Sequence, residues 1–244
     1  MARHNDDRKQ EAMINLENWL PKTLLGKNVK NKTELSMNDI LKRGENVLEA
    51  EIIDTLLPNN TSDLIAVGQS KGKFGGGKRS TWKQTQKKTM EGNKPKFTAL
   101  AIVGNQDGFV GLGRGKAKET VPAREKAVRN AKLHLISIRR GCGSWKCGCG
   151  ESHSIPFKVE GKSGSLRIEL RPAPKGTGLI IEKECAKMLK LAGIKDVYAK
   201  TQGATKTKLN LVQACFDALS TLPKVKMPNT YVKKAGVITG NDHQ

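Results

Sequence analysis

The 244-residue chain carries 44 Lys and Arg against 23 Asp and Glu, a formal charge of +21, with 36% hydrophobic and 4% aromatic residues. The length allows two ordinary domains, and so large a positive excess predicts a polyanionic partner. No run approaches the roughly 18 apolar residues of a membrane span, and MARHNDDRKQ holds no apolar signal region. Nucleic acid is therefore favoured over membrane, in a soluble, intracellular setting. So few Phe, Tyr and Trp argue against base stacking as the main binding mode. They leave charge and backbone shape, as in recognition of folded RNA.

Residues 1–35 form a polar extension with one apolar turn at Leu16, Trp19 and Leu20, cut by Pro21. Ser36 is placed to cap a short helix through Arg43, and Val47–Leu57 alternates as a strand stopped by Pro58-Asn59-Asn60. Leu64–Val67 reads as a second strand. Residues 68–96 then hold nine Lys or Arg and one Glu, a composition expected to be mobile alone. This basic loop is either a solvated linker or a segment that orders on RNA, and the charge of the chain favours the second. FTALAIVG (97–104) suits a buried strand, NQDG a turn, and FVGLGRG (109–115) a glycine-rich strand. A helix follows from Thr120, with Ala123, Ala127, Val128, Ala131 and Leu135 at helical spacing, and the domain 36–140 ends near Arg140.

The connector GCGSWKCGCGESH (141–153) separates this domain from a second, 154–222, with the order ββαβα. Its strands are IPFKVEG, SLRIELRPAP and IKDVYAK. One helix places Cys185, Met188, Leu189 and Ala192 inward and closes at Gly193; the other aligns Leu209, Val212, Phe216 and Leu219. Residues 223–244 read as an extended tail.

Several motifs narrow the chemistry. GKFGGGK (72–78) has P-loop spacing, but Arg79 stands where Ser or Thr should hold magnesium, and no apolar helix follows. GLGRGKAK (111–118) puts Lys116 where a dinucleotide fingerprint needs its third glycine. These glycines, with Arg114, Lys116 and Lys118, suit close approach to an RNA backbone or a tight hairpin with solvated charges. Cys142, Cys147, Cys149 and His153 can wrap one tetrahedral zinc; the alternative is free thiols in a glycine-rich loop. A reducing interior and the awkward bridging of Cys-x-Cys pairs argue against disulfides. Trp145 is the one apolar residue available to anchor this connector. Cys185 and Cys215 lie on apolar helix faces as core residues. His134 is expected to pack among apolar neighbours, no catalytic set emerges, and the chain is not expected to be an enzyme. Candidate RNA-binding residues are Lys78, Arg79, Lys83, Lys87, Lys88, Lys94 and Lys96 in the basic loop; Arg114, Lys116 and Lys118 after the glycine strand; Arg124 and Arg129 on the helix; and Arg139, Arg140, Lys175 and Thr177.

FTALAIVGNQDGFVGLGRGKAKE resembles the N-terminal domain signature of the universal small-subunit ribosomal protein S-five family. SIPFKVEGKSGSLRIELRPAPKGTGLI and LAGIKDVYAKTQGATKTKLNLVQACFDAL resemble its C-terminal domain, and RRGCGSWKCGCGESHSIPF its archaeal branch. The match runs over about residues 36–222, although the loop around 70–84 is longer than the family's. The resemblance implies an α+β protein of two small domains. The first would be similar to the double-stranded-RNA-binding fold, and the second would carry a left-handed β-α-β crossover, against the usual hand. It also implies a cytoplasmic, ribosomal protein bound to small-subunit rRNA and to messenger RNA where it enters. Its neighbours would be ribosomal proteins S-four, S-three, S-eight and S-two, and its role would lie in decoding accuracy.

Overall fold

The computed structural model describes residues 19–33, 36–69 and 79–240. Leu16, Lys78 and the whole GKFGGGK motif lie outside them. The chain divides into two compact units, Met1–Asn60 and Thr61–Gln244.

In the first unit, helices α1 (Leu24–Lys30), α2 (Met37–Arg43) and α3 (Ala50–Leu56) follow one another. α2 begins after Ser36, as its sequence predicts, and ends on Gly44 in the left-handed region, where a Cβ would be strained. α3 corrects the strand expected over Val47–Leu57. Its apolar residues fit helical spacing as well as alternation, and Ala50, Ile52 and Ile53 are buried, so one helical stripe buries more than a short strand would.

The second unit opens with β1 (Thr61–Leu64), β2 (Lys83–Thr89), β3 (Gly92–Gly104), β4 (Phe109–Ala117), α4 (Thr120–Leu133) and β5 (Leu135–Ser137). β1 and β2 lie end to end along one edge of β3, and β4 and β5 follow on the other side, all antiparallel. β2–β3 corrects the loop expected across 68–96 for its residues 83–96, while residues 70–78 lie outside the described ones. KQTQKKT pairs residue by residue with Gly92–Thr98, closed by a tight turn at Met90-Glu91 with Gly92 at φ +107°. Thr and alternating polar residues suit a pleated ribbon even with nothing to bury.

The two faces of this sheet do different work, because side chains alternate along each strand. Gly111, Gly113 and Gly115 lie under α4. A Cβ on Gly113 would stand 2.0 Å from the Ala131 nitrogen and 2.3 Å from the Ala127 oxygen. The helix answers with Ala123, Ala127 and Ala131, all fully buried, so backbone meets backbone. The expected stripe was right for these alanines, but Leu135 belongs to β5. His134 is the exposed C-cap of α4, its Nδ1 2.8 Å from the Asn130 carbonyl. That corrects the packing role expected for it.

On the opposite face Leu100, Ile102, Val110 and Leu112 join Ile65 and Val67 in one apolar cluster with residues of the second half, among them Leu166, Ile168, Met188, Leu189, Val212 and Leu219. That half comprises β7 (Val159–Ser163), β8 (Leu166–Pro172), β9 (Leu179–Ile180), α5 (Lys183–Leu191), β10 (Val197–Gln202) and α6 (Lys208–Thr221). Its sheet runs β7-β8-β10-β9, and β9 and β10 are parallel across α5, which forms the β-α-β unit. Backbone bonds also cross between the halves: the amides of Gln106 and Gly108 donate to the carbonyls of Leu191 and Ala192 at 2.8 and 3.2 Å.

α5 buries Cys185, Met188, Leu189 and Ala192 as its spacing predicts, with Gly193 closing it at φ +80°. α6 is rotated from the expected register. Leu211, Val212, Ala214, Cys215, Ala218 and Leu219 are buried, whereas Leu209 and Phe216 pack only at the margin of the cluster. Residues 223–240 are not simply extended. After a short 3-10 turn, α7 (Asn229–Lys234) forms, and β11 (Ile238–Thr239) pairs with β6 (Arg139–Arg140). No helix among the described residues is long and apolar enough to cross a membrane.

Candidate functional site

Two sites emerge, one of charge and one of ligating side chains. In the β2–β3–β4 register Lys83 sits opposite Thr98, which sits opposite Lys116; Thr85 faces Lys96, Lys87 faces Lys94, and Leu100 faces Arg114. Directly paired residues share a face, as do residues two apart. Lys83, Lys87, Lys94, Lys96, Arg114 and Lys116 therefore all project from the face that carries Leu100 and Leu112 into the core. Where the apolar residues stop, the basic ones begin, and all six are exposed. Along a strand they recur at about 6.6–6.8 Å, and neighbouring strands lie roughly 4.8 Å apart, so the face is a lattice of cations. Lys94 pairs with Glu91 at the turn.

The other sequence candidates scatter. Lys88 lies on the opposite face of the ribbon, opposite Asn93, and Lys118 is exposed just beyond β4. Arg124 and Arg129 are exposed on α4, across the sheet from the lattice. Arg79 donates to the Lys206 carbonyl at 3.0 Å. Arg139 donates to the carbonyls of Leu222 and Val225. Arg140 is a correction: it is 6% exposed, 2.6 Å from Asp107 and 3.2 Å from the Gly240 carbonyl. It ties the NQDG turn to the tail. Thr177 donates to the Pro174 carbonyl at 2.8 Å, and Lys175 pairs with Glu151 at 2.7 Å.

In the connector, the ligand atoms of Cys142, Cys147, Cys149 and His153 all lie within 4.8 Å of one another. Cys147 Sγ is 3.4 Å from Cys149 Sγ and 3.8 Å from His153 Nε2. Sulfurs bound tetrahedrally to zinc stand about 3.7 Å apart, so the donor set fits that ion with little movement. The glycines let the chain turn tightly enough to bring these donors together. Cys142 is fixed by its amide, which donates to the Ala235 carbonyl at 2.8 Å.

His153 is 5% exposed, and its Nδ1 lies 2.8 Å from Asp196 Oδ2, which turns Nε2 towards the thiols. Asp196 is itself held: its other oxygen accepts from the Gly178 amide at 2.7 Å, and its carbonyl from Ser154 Oγ. A carboxylate behind a ligating imidazole fixes its tautomer and raises its basicity. Sequence reasoning missed Asp196, because nothing in IKDVYAK marks its single carboxylate as a partner of His153. The Lys175 amide, followed by the Cys149 amide, lowers the Cys147 thiol to about 6, which favours the thiolate, the form that binds metal. Burial, then the neighbouring thiols Cys149 and Cys147, raises Cys142. Trp145, the expected anchor, is instead fully exposed at 103%; hydrogen bonds and the clustered donors hold the loop in its place.

Comparison with known proteins follows the same outline. The domain described as Ribosomal protein S5, N-terminal domain, matches residues 81–139, and Ribosomal protein S5, C-terminal domain, matches residues 161–231. The Small ribosomal subunit protein uS5 of Nanoarchaeum equitans is 46% identical over 229 residues, covering 94% of this chain and 98% of that one. The protein of the same name from Methanothermobacter thermautotrophicus is 44% identical, covering 92% and 97%. That of Staphylothermus marinus is 44% identical, covering 89% and 95%. Two domain matches in the right order, and identity of this level over nearly the whole length, settle the affiliation: the chain belongs to the ribosomal protein S5 family.

Proposed function

We propose that this chain is a structural constituent of the small ribosomal subunit, and that it binds rRNA through the cationic face of β2, β3 and β4. The family it belongs to is not enzymatic. The observation that carries the reading is the register that gathers Lys83, Lys87, Lys94, Lys96, Arg114 and Lys116 on one exposed face. A two-stranded ribbon is marginal alone, and one with nothing to bury gains most from a partner that neutralises its charge. The place of binding is near the decoding region and the point where messenger RNA enters, beside ribosomal proteins S-four, S-three, S-eight and S-two, with a role in translational accuracy. Family membership supports this placement.

The connector is held by one structural zinc on Cys142, Cys147, Cys149 and His153. Four protein ligands fill a tetrahedron and leave no position for water or substrate, so the ion supplies order and no chemistry.

The test of RNA binding is a salt titration with folded small-subunit rRNA. Each phosphate contact contributes about −0.7 to −0.9 to the slope of log affinity against log salt. The variant Lys83→Ala/Lys87→Ala/Lys116→Ala should flatten that slope by roughly two to three units with the fold intact, since these side chains bury nothing. A slope equal to that of the unaltered chain would contradict the assignment.

A further inference from the structure

The connector carries a feature that neither the cation lattice nor the metal centre uses. Trp145 stands fully in solvent, 103% exposed, in a chain with only three tryptophans. Burying an indole is among the larger apolar gains open to a side chain, so one left in solvent on an ordered loop is available to a partner. The loop is well held around it. The Cys147 amide donates to the Ser144 carbonyl at 3.2 Å, closing a turn over Trp145 and Lys146. Gly143 lies flush on Pro156, where a Cβ would come within 2.0 Å of the Pro156 oxygen.

Beside Trp145 opens a cleft of about 530 Å³, lined by Trp145, Ser144, Gly148, Tyr231 and Lys234 and also by Cys142 and Cys147, so it adjoins the ligand cluster. Tyr231 is fixed by its hydroxyl, which donates to the Pro156 carbonyl at 2.6 Å. Lys234 lines the cleft, and Lys146 and Lys233, the sequence neighbours of Trp145 and Lys234, are exposed. An exposed indole on a held backbone turn, a fixed Tyr231 ring and a lysine in the same cleft are the parts of a site for a nucleotide in single-stranded form. The base stacks on an aromatic face, and its phosphates meet ammonium groups. The volume falls within the usual range for a small-ligand site.

We infer that Trp145, with Tyr231 and Lys234, forms a stacking site for an unpaired nucleotide of RNA, separate from the cation lattice. The charge favours nucleic acid over a protein neighbour, because Lys234 in the lining and the exposed Lys146 and Lys233 next to Trp145 and to it in sequence suit phosphates and would have to be desolvated or matched by acidic groups in a protein contact. The inference rests on the proposed rRNA binding and adds to it a single-stranded element and a second surface. The alternation that builds the lattice reads backbone charge alone, whereas this site takes a base.

The experiment measures the full chain against a short unstructured oligo(A) or oligo(U) and, separately, against duplex RNA. Single-stranded RNA should quench tryptophan fluorescence. Trp145→Ala should weaken single-strand affinity about 5- to 150-fold, the range for one stacked base, and leave duplex affinity unchanged. Trp145→Phe, which keeps an aromatic face, should retain most of the affinity while losing the quench. Equal single-strand affinity for Trp145→Ala and the unaltered chain overturns the inference and leaves the lattice reading standing; failure to bind either RNA overturns both. In native small subunits, ultraviolet cross-linking should leave a nucleotide adduct on the peptide containing Trp145, and a cross-link from that peptide to a protein overturns the assignment.

Discussion

Asp196 and Glu49 show how single carboxylates organise this chain. Asp196 holds the imidazole of His153 from 43 positions away, so the Cys/His spacing was legible in the sequence and its support was not. Purified protein should contain about one zinc per chain. Asp196→Asn should cost about 10- to 100-fold in zinc affinity, measured by chelator competition with all four ligands intact; unaltered affinity would reduce Asp196 to a packing residue. Arg140 was misread for a similar reason: a surface-like RR dipeptide gives no sign that Asp107 and Gly240 enclose its second member.

Glu49 precedes α3, and its oxygens accept from the amides of Thr23 and Lys22 at 2.7 and 3.0 Å and from Trp19 Nε1 at 2.8 Å. Partial burial works to raise its pKa, but these hydrogen bonds outweigh it, and the carboxyl sits below its ordinary value of 4.5. A folded-state pKa below the unfolded one means the ionised form favours folding. That stabilisation is complete above 4.5 and is lost as pH falls through the lowered folded value. Glu49→Gln should therefore melt below the parent at about pH 7, and the gap should narrow as pH falls below 4.5 through the lowered folded value. A gap that stays constant with pH would mean that the charge of Glu49 contributes nothing.

At the scale of elements, helical spacing was read well where apolar residues are large and well separated, as in α5, and less well in α6. There Ala214, Cys215 and Ala218 bury fully while the bigger Phe216 stays at the margin; Gly161 of β7 lies against the backbone of Ala214 and Ala218, where small residues fit. The consequence is measurable: Leu219→Ala should cost about 2–5 kcal/mol, and Phe216→Ala less, despite deleting more atoms. Chemical denaturation reads both values, and the reverse order would refute the observed register. The glycine strand was legible as a strand but not in its purpose. Gly111, Gly113 and Gly115 looked suited to an RNA backbone and instead admit the backbone of α4. One strand's pattern cannot say which face a helix will cover. β2 was missed because it has no apolar residue to announce it; only its pairing with β3 reveals it.

For the molecule as a whole, the two halves read from sequence, before and after the connector, share one apolar cluster in the Thr61–Gln244 unit. The tail returns to pair with Arg139–Arg140. No alternation or helical stripe could disclose that sharing, since it depends on which sheet face meets which. The charge was legible from composition alone, but its concentration on one face needed the register. The most direct test compares lysine acetylation in the free chain and in native small subunits. Lys83, Lys87, Lys94, Lys96 and Lys116 should react readily in the free chain and be protected in the subunit. Equal reactivity of all five in both states would contradict the claim that this face is where the protein meets rRNA.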